Sequence, residues 1–382
     1  MIRPAIVIIG YNRANAVKRL LSSIREATYP EGEIPLVISV DKAEDGSSEK
    51  VVAAAREFVW EHGEKRVIER EKNMGLKQHV LSCGDLCGEY GSIIMLEDDL
   101  YVSPAFYLFA AEALAFTEGD ERIGGISLYE HRMNVHVREP FEAVHDPYDN
   151  WYFQFASSWG QAFLAGQWQG FREWLLTHDN TDLSDLTVPA NVSSWSDKSW
   201  LKYYIKYLIE TDRYFLYPRI SYTTNFSDAG EHARAAVNDL QVPLSGRRTE
   251  QMPFTFAKLQ DTRSVYDAFF ENAVLKKTVG ERYCDANDLT IDLYGYRDRF
   301  DTRYVLSSKA LPYRQVKGFA RTLRPIDENV FLDVEGHELF LYDRDTESDK
   351  PAMCHAERLL YNYRAIRVKD MISVILYRLR QR

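Results

Sequence analysis

The apolar positions of the first hundred residues come in short runs separated by helical spacing. Ala5 to Ile9 is unbroken, the pattern of a strand buried on both faces. After the polar turn Tyr11-Asn12-Arg13, the stretch Asn15 to Arg25 carries Val17, Leu20, Leu21 and Ile24 at the spacing of an amphipathic helix. Leu36 to Val40 predicts a second strand ending in Asp41, and Ser48 is placed to cap a helix running to Trp60. Arg66 to Arg70 predicts a third strand, Asn73 to Leu76 opens a helix reaching Leu86, and Ile93 to Leu96 is the next strand. Strand and helix in alternation mean a mostly parallel α/β sheet with right-handed crossovers and helices on its faces.

Further on the texture changes. Residues 129–185 are rich in aromatics, most of them expected in the core and some suited to stacking on sugar rings. A polar loop from Thr177 to Ser194 precedes a predicted helix over Trp195 to Ile209 and a strand over Tyr217 to Ser221. After residue 245 short strands and turns are expected, with a helix near Val265 to Val274 and a hairpin around Glu335-Gly336. The chain is therefore divided into an α/β domain (1–245), an accessory α+β region (246–355) and a basic helix (356–382). That last segment holds seven Lys or Arg against two acids, a net +5, with Met371, Ile372, Val374, Ile375, Leu376 and Leu379 as its apolar side. Two readings stand: contact with an anionic membrane surface, or docking on the protein itself or on a second subunit of a homo-oligomer.

Composition adds exclusions. The 382 residues are 45% hydrophobic and 27% charged, an ordinary globular mixture, and the net charge of −10 argues against nucleic acid as a partner. Cys83 and Cys87, four apart, read as two small buried thiols rather than a metal pair. Met1 to Pro4 leads straight into the first strand, and no run reaches the ~18–20 apolar residues of a membrane span. A cytoplasmic protein is expected, with the inner membrane face open to the basic helix.

The candidate chemistry sits at the strand ends. Glu97-Asp98-Asp99-Leu100 closes the apolar run Ser92 to Leu96, and three carboxylates so close resist joint ionisation unless a cation neutralises them. Oxygen ligands favour Mg²⁺ or Mn²⁺, which share their shell with a substrate's phosphates. In open α/β sheets ligands bind beyond the carboxyl ends of the strands. There this chain gathers Gly10, Tyr11, Asn12 and Arg13, then Asp41, then Asn73 and Leu76, and finally the carboxylates. Asp99 is expected as the direct metal ligand, with Glu97 and Asp98 facing ribose and donor sugar or the metal through water. Asp41 is placed for a uracil or ribose, and Arg13 for phosphates. Metal and diphosphate together suit transfer of a sugar from a nucleoside diphosphate. Asp197, at the start of a predicted helix among aromatics, is the candidate general base; its other reading is a carboxylate complementing the helix dipole. His232 reads either as a ligand of the metal or the leaving phosphates, or as an ordinary loop residue.

The order of these motifs resembles GT-A-fold glycosyltransferases, in particular N-acetylglucosaminyltransferase I and related bacterial polysaccharide-assembly enzymes. The resemblance covers residues 4 to 235 and rests on Ile6 to Arg13, Asp41, Glu97 to Leu100, Trp159 to Phe163, Trp195 to Asp197, and Tyr217 to Ser221 with Phe226 and His232. It implies Trp159 and Gly160 at the donor and acceptor sites, Asp197 as catalytic base, and Asp99 with His232 at the metal. It further implies a UDP-sugar donor, an N-acetylhexosamine foremost, and a saccharide or lipid-linked saccharide acceptor. Lys198 stands where that family has an acidic or aromatic residue. A sugar nucleotidyltransferase is the rival reading, although Gly10-Tyr11-Asn12-Arg13 is not its glycine-rich loop. A binding protein without catalysis and a retaining transferase are the others.

Overall fold

The computed structural model describes residues 2–226, 228, 240–246, 252–351, 362 and 366–380. They form two compact units, one of residues 1–132 with 145–270 and one of residues 133–144 with 271–382. The larger unit thus extends past 245, because Val265–Tyr266 pairs into its sheet.

That unit is α/β. Its strands are β1 (Ala5–Gly10), β2 (Leu36–Val40), β3 (Lys65–Glu69), β4 (Ser92–Glu97), β5 (Leu100–Val102), β6 (Ile123–Ser127), β7 (Asn150–Phe153), β8 (Gln161–Leu164), β9 (Tyr214–Pro218), β10 (Thr223–Asn225) and β11 (Val265–Tyr266). Its main helices are α1 (Ala14–Arg25), α2 (Ser48–Glu57), α3 (Leu76–Gly84), α4 (Phe106–Phe116), α5 (Ala165–His178) and α6 (Leu201–Glu210). Nine strands form one sheet in the order β11-β7-β9-β6-β8-β4-β1-β2-β3. The β3-β2-β1-β4 half is parallel throughout, and β8 enters antiparallel between β4 and β6. Every residue of β1 and β2 is buried, as their unbroken apolar runs require. Helix α1 buries the predicted stripe of Val17, Leu20, Leu21 and Ile24, and Ala16 with it.

Three expectations need correction here. The helix after the polar loop begins at Leu201 rather than Trp195. The strand expected over Tyr217 to Ser221 is Tyr214–Pro218, and Ser221 makes only an isolated bridge to Leu244. The helix expected over Val265 to Val274 starts only at Ala273: Val265 and Tyr266 take a sheet edge, where a β-branched and an aromatic side chain pack well.

In the smaller unit Asn272 accepts a hydrogen bond from the Val274 amide (2.9 Å) and so starts helix α7 (Ala273–Tyr283). Strands β12 (Leu289–Asp292), β13 (Tyr304–Ser307), β14 (Tyr313–Phe319) and β15 (Leu339–Glu347) form a sheet in the order β12-β13-β15-β14. The expected hairpin at Glu335-Gly336 is replaced by helix α8 (Asp327–Phe331) and a lone bridge between Phe319 and Glu335. Asn329 explains this. Its buried amide accepts from the Thr322 and Leu323 amides and donates to the Leu323 and Ile326 carbonyls, folding the segment over itself. Helix α9 (Val368–Arg380) is the last described element.

Candidate active site

Strands β1, β2 and β4 are adjacent and parallel, so their carboxyl ends open on one edge. A buried strand carries little side-chain freedom, and β4 therefore fixes the direction of Glu97 and the turn Asp98-Asp99 that follows it. The next residues, β5, pair antiparallel with β10, and the Phe226 amide donates to the Asp99 carbonyl (3.0 Å). The acidic turn is thereby held on both sides.

The three carboxylates have three environments. Asp98 is buried and hydrogen-bonded by the Arg13 guanidinium; Asp99 Oδ2 lies 3.3 Å from the same group. Burial holds Asp98 above the usual carboxylate range, with Arg13 pulling the other way. Glu97 is pushed up to about 8 by burial and then by the charges of Asp99 and Asp98, with Arg13 and a hydrogen bond from Ser158 opposing. Asp99 Oδ1 is enclosed and has no hydrogen-bond partner. A carboxylate oxygen aimed at nothing is costly in a folded chain.

Asp41 has its carboxylate committed. Oδ1 accepts from the amides of Lys42 (3.0 Å) and Met74 (2.9 Å), and Oδ2 from Gly75 (3.1 Å). It pins the Asn73–Gly75 turn to the end of β2, and Gly75 at φ 75° lets that turn enter α3. Beneath it His79 shares a hydrogen bond with Ser39 (2.8 Å), and burial lowers the imidazole to about 4, so it is neutral. Gly10 is buried at the end of β1. Tyr11 and Leu76 are exposed, and the exposed Asn73 donates to the Tyr11 hydroxyl (3.3 Å). Asn12 is exposed beside them. These side chains form an open ledge over the sheet edge.

Gly160 at φ 90° precedes β8, and a Cβ there would lie 2.7 Å from Thr223 Cγ2. Thr223 donates to the Trp159 carbonyl, and the Trp159 ring packs edge-on against Tyr129, with centroids 4.7 Å apart. Trp159-Gly160 is thus tied to β10 and through it to the acidic turn.

Asp197 departs from the expected picture. It lies in the turn before α6, its side chain 84% exposed, and Oδ1 accepts from Lys202 Nζ (2.8 Å). The ammonium holds it below the usual carboxylate range. Water is not excluded from it here. Lys202 is itself buried and also donates to the Trp195 carbonyl (3.0 Å). Lys77, likewise buried, pairs with Asp179, and Lys206 with Asp185. The polar loop from 179 to 197 is therefore bound by three lysines, two of them a turn apart on α6. Buried lysines within an aromatic helix are their sequence signal, which the reading by apolar pattern missed. Ser158 carries no such signal. His232 lies outside the described residues.

Among the described residues no group of three or more His, Cys, Asp or Glu is arranged to hold a metal. The unpartnered Asp99 oxygen fits one ligand position. Mg²⁺ and similar hard cations are commonly bound through one or two carboxylates, with substrate phosphates and water completing the shell. The residues present fit that kind of site and not an all-protein cage.

No protein-family model matches the chain, and no curated protein does. Among solved structures, S. aureus TarS 1-349 in complex with UDP-GlcNAc aligns at 14% identity and TM-score 0.38, over 62% of this chain and 61% of that one. A second crystal structure of S. aureus TarS 1-349 aligns at 14% identity and TM-score 0.36, over 58% and 59%. The mannosyltransferase PcManGT from Pyrobaculum calidifontis, in complex with GDP-Man and Mn²⁺, aligns at 18% identity and TM-score 0.31, over half of each chain. The chain spans about three fifths of the first two and half of the third. At these scores the likenesses carry no weight beside the strand order. The sheet topology itself makes this an α/β protein with a mostly parallel sheet that delivers an acidic cluster and a basic turn to one edge.

Proposed function

We propose that the chain is a metal-dependent glycosyltransferase that takes a sugar from a nucleotide donor, with UDP-sugars the leading class, and inverts the anomeric configuration. The observation that supports this most is the enclosed, unpartnered Asp99 Oδ1 beside the Arg13–Asp98 pair. Asp99 would hold Mn²⁺ or Mg²⁺, which supplies charge neutralisation for a diphosphate leaving group. Tyr11, Asn73 and Leu76 would receive the nucleoside. Asp41 would act by fixing the turn beneath it, since its carboxylate is already hydrogen-bonded to three amides. Asp98 keeps Arg13 oriented beside the phosphate position. Trp159 and Gly160 would border the donor sugar.

Asp197 would take the proton from the acceptor hydroxyl once a saccharide covers it. A carboxylate released from Lys202 and shielded from water becomes a stronger base. Such a shift on acceptor binding is the expected behaviour of this site.

Calorimetric titration of UDP with Mn²⁺ and with EDTA, on wild type and Asp99→Asn, is the test. Binding is expected to need both the metal and Asp99, with a loss on the order of a hundredfold in the variant, a charge-coupled contact of roughly 3 kcal/mol. Equal binding in EDTA would refute the metal site. Release of UDP, rather than pyrophosphate, and an inverted product anomer would then separate this reading from a nucleotidyltransferase and from a retaining enzyme.

A further inference from the structure

Helix α9 shows large apolar side chains to solvent. Val368, Ile372, Ile375, Leu376 and Leu379 are between 50% and 69% exposed. At helical spacing these five share one stripe, roughly 100° wide. The charges are not scattered around it. Lys369 and Arg380 sit along the edge next to Leu376, and the backbone position of Arg378 falls on the opposite edge. Asp370 lies on the reverse together with Tyr377 and with Val374, which the sequence pattern puts on the apolar side, so the apolar exposure is widest at the stripe but not confined to it. Helix packing on the chain itself would bury the stripe, and here it is more than half open.

An apolar stripe edged by cations matches one surface chemistry. Anionic lipid headgroups meet the cations while the stripe enters the acyl boundary. The length agrees: 13 residues rise about 20 Å, short of the ~30 Å hydrocarbon core. Among the described residues no helix is long and apolar enough to cross a membrane. Charge complementarity agrees too, since residues 356–382 carry a net +5 on a chain of −10.

We propose that α9 is a reversible anchor that lies in the plane of an anionic membrane surface. This holds independently of the nucleotide chemistry above.

Cosedimentation of the full chain with phosphatidylglycerol–phosphatidylcholine vesicles, and with phosphatidylcholine vesicles alone, tests it. Binding is expected to the anionic vesicles at least tenfold over the neutral ones, and to weaken as salt rises. The double variant Lys369→Gln, Arg380→Gln is expected to bind on the order of tenfold more weakly. Ile375→Asp with Leu379→Asp is expected to abolish binding while the thermal transition stays in place. Failure of the wild-type chain to sediment with anionic vesicles would overturn the proposal, as would equal binding to neutral ones. So would a dimer in light scattering that the Asp variant dissociates, because the stripe would then be a protein interface.

Discussion

Replacing Arg13 by Met removes the cation that the acidic turn is built around. Its side chain is 30% exposed, against 7% for Asp98 and 25% for Asp99. Breaking a fully buried pair from one side costs about 3–5 kcal/mol, because the other charge is left without a partner. Partial exposure of Arg13 and Asp99 lets water take up part of that, so a loss of about 2–3 kcal/mol is expected. For a domain of this size that lowers the melting temperature by roughly 4–10 °C. The loss should depend on pH. Glu97 and Asp98 are both held above the usual carboxylate range, so the folded chain binds more protons than the unfolded one between the ordinary carboxylate value and the raised one, about 8 for Glu97. Stability falls as pH rises through that window. Without Arg13 the fall steepens, so in EDTA the variant's deficit should be largest near about pH 8 and shrink toward about pH 5. Differential scanning fluorimetry of wild type and variant, at both pH values and with EDTA or Mn²⁺, reads all of this. Mn²⁺ should recover part of the deficit by supplying the missing positive charge. Equal melting of the two proteins at both pH values would refute the neutralising role of Arg13. Failure of Mn²⁺ to raise the melting temperature of either protein would refute the carboxylates as a cation site.

Other perturbations follow from the same geometry. Gly160→Ala puts a Cβ 2.7 Å from Thr223 at φ 90° and should cost roughly 1–3 kcal/mol in chemical denaturation, whereas Gly166→Ala, with nothing within 4 Å, should not destabilise. Lys202→Met frees Asp197 from the ammonium that lowers its pKa; if Asp197 is the base, the acid limb of the pH–rate profile should move to higher pH with UDP affinity unchanged. Asn329→Ala leaves two amides and two carbonyls of the 322–326 segment without their partner, and should cost about 2–3 kcal/mol by denaturant titration of the smaller unit.

Much of the larger unit was legible because its strands are buried on both faces. Ala5 to Ile9, Leu36 to Val40 and Ile93 to Leu96 leave no reading other than interior strands, and their neighbouring polar residues can only be edge groups. Reading failed where a single contact decides the local structure. The start of α7 depends on the Asn272 cap, and the lost hairpin depends on the Asn329 side chain. Neither shows in a hydrophobic period.

The sequence by itself determined which elements form the parallel half of the sheet, that carboxylates stand at its edge, and that one segment near the end is basic and apolar together. These follow from local pattern, because a strand or helix must turn its apolar residues inward wherever it packs. Only the tertiary structure decided what each polar group is for. Asp41 is used up by backbone amides, Asp98 by Arg13, and Asp197 by Lys202, while Asp99 keeps an oxygen with no partner. Asp41 meets Met74 across 33 positions of chain and Asp98 meets Arg13 across 85, while Lys202 reaches Asp197 from five positions on; hydrogen bonding is too short-ranged for residue type and spacing alone to settle which partners meet.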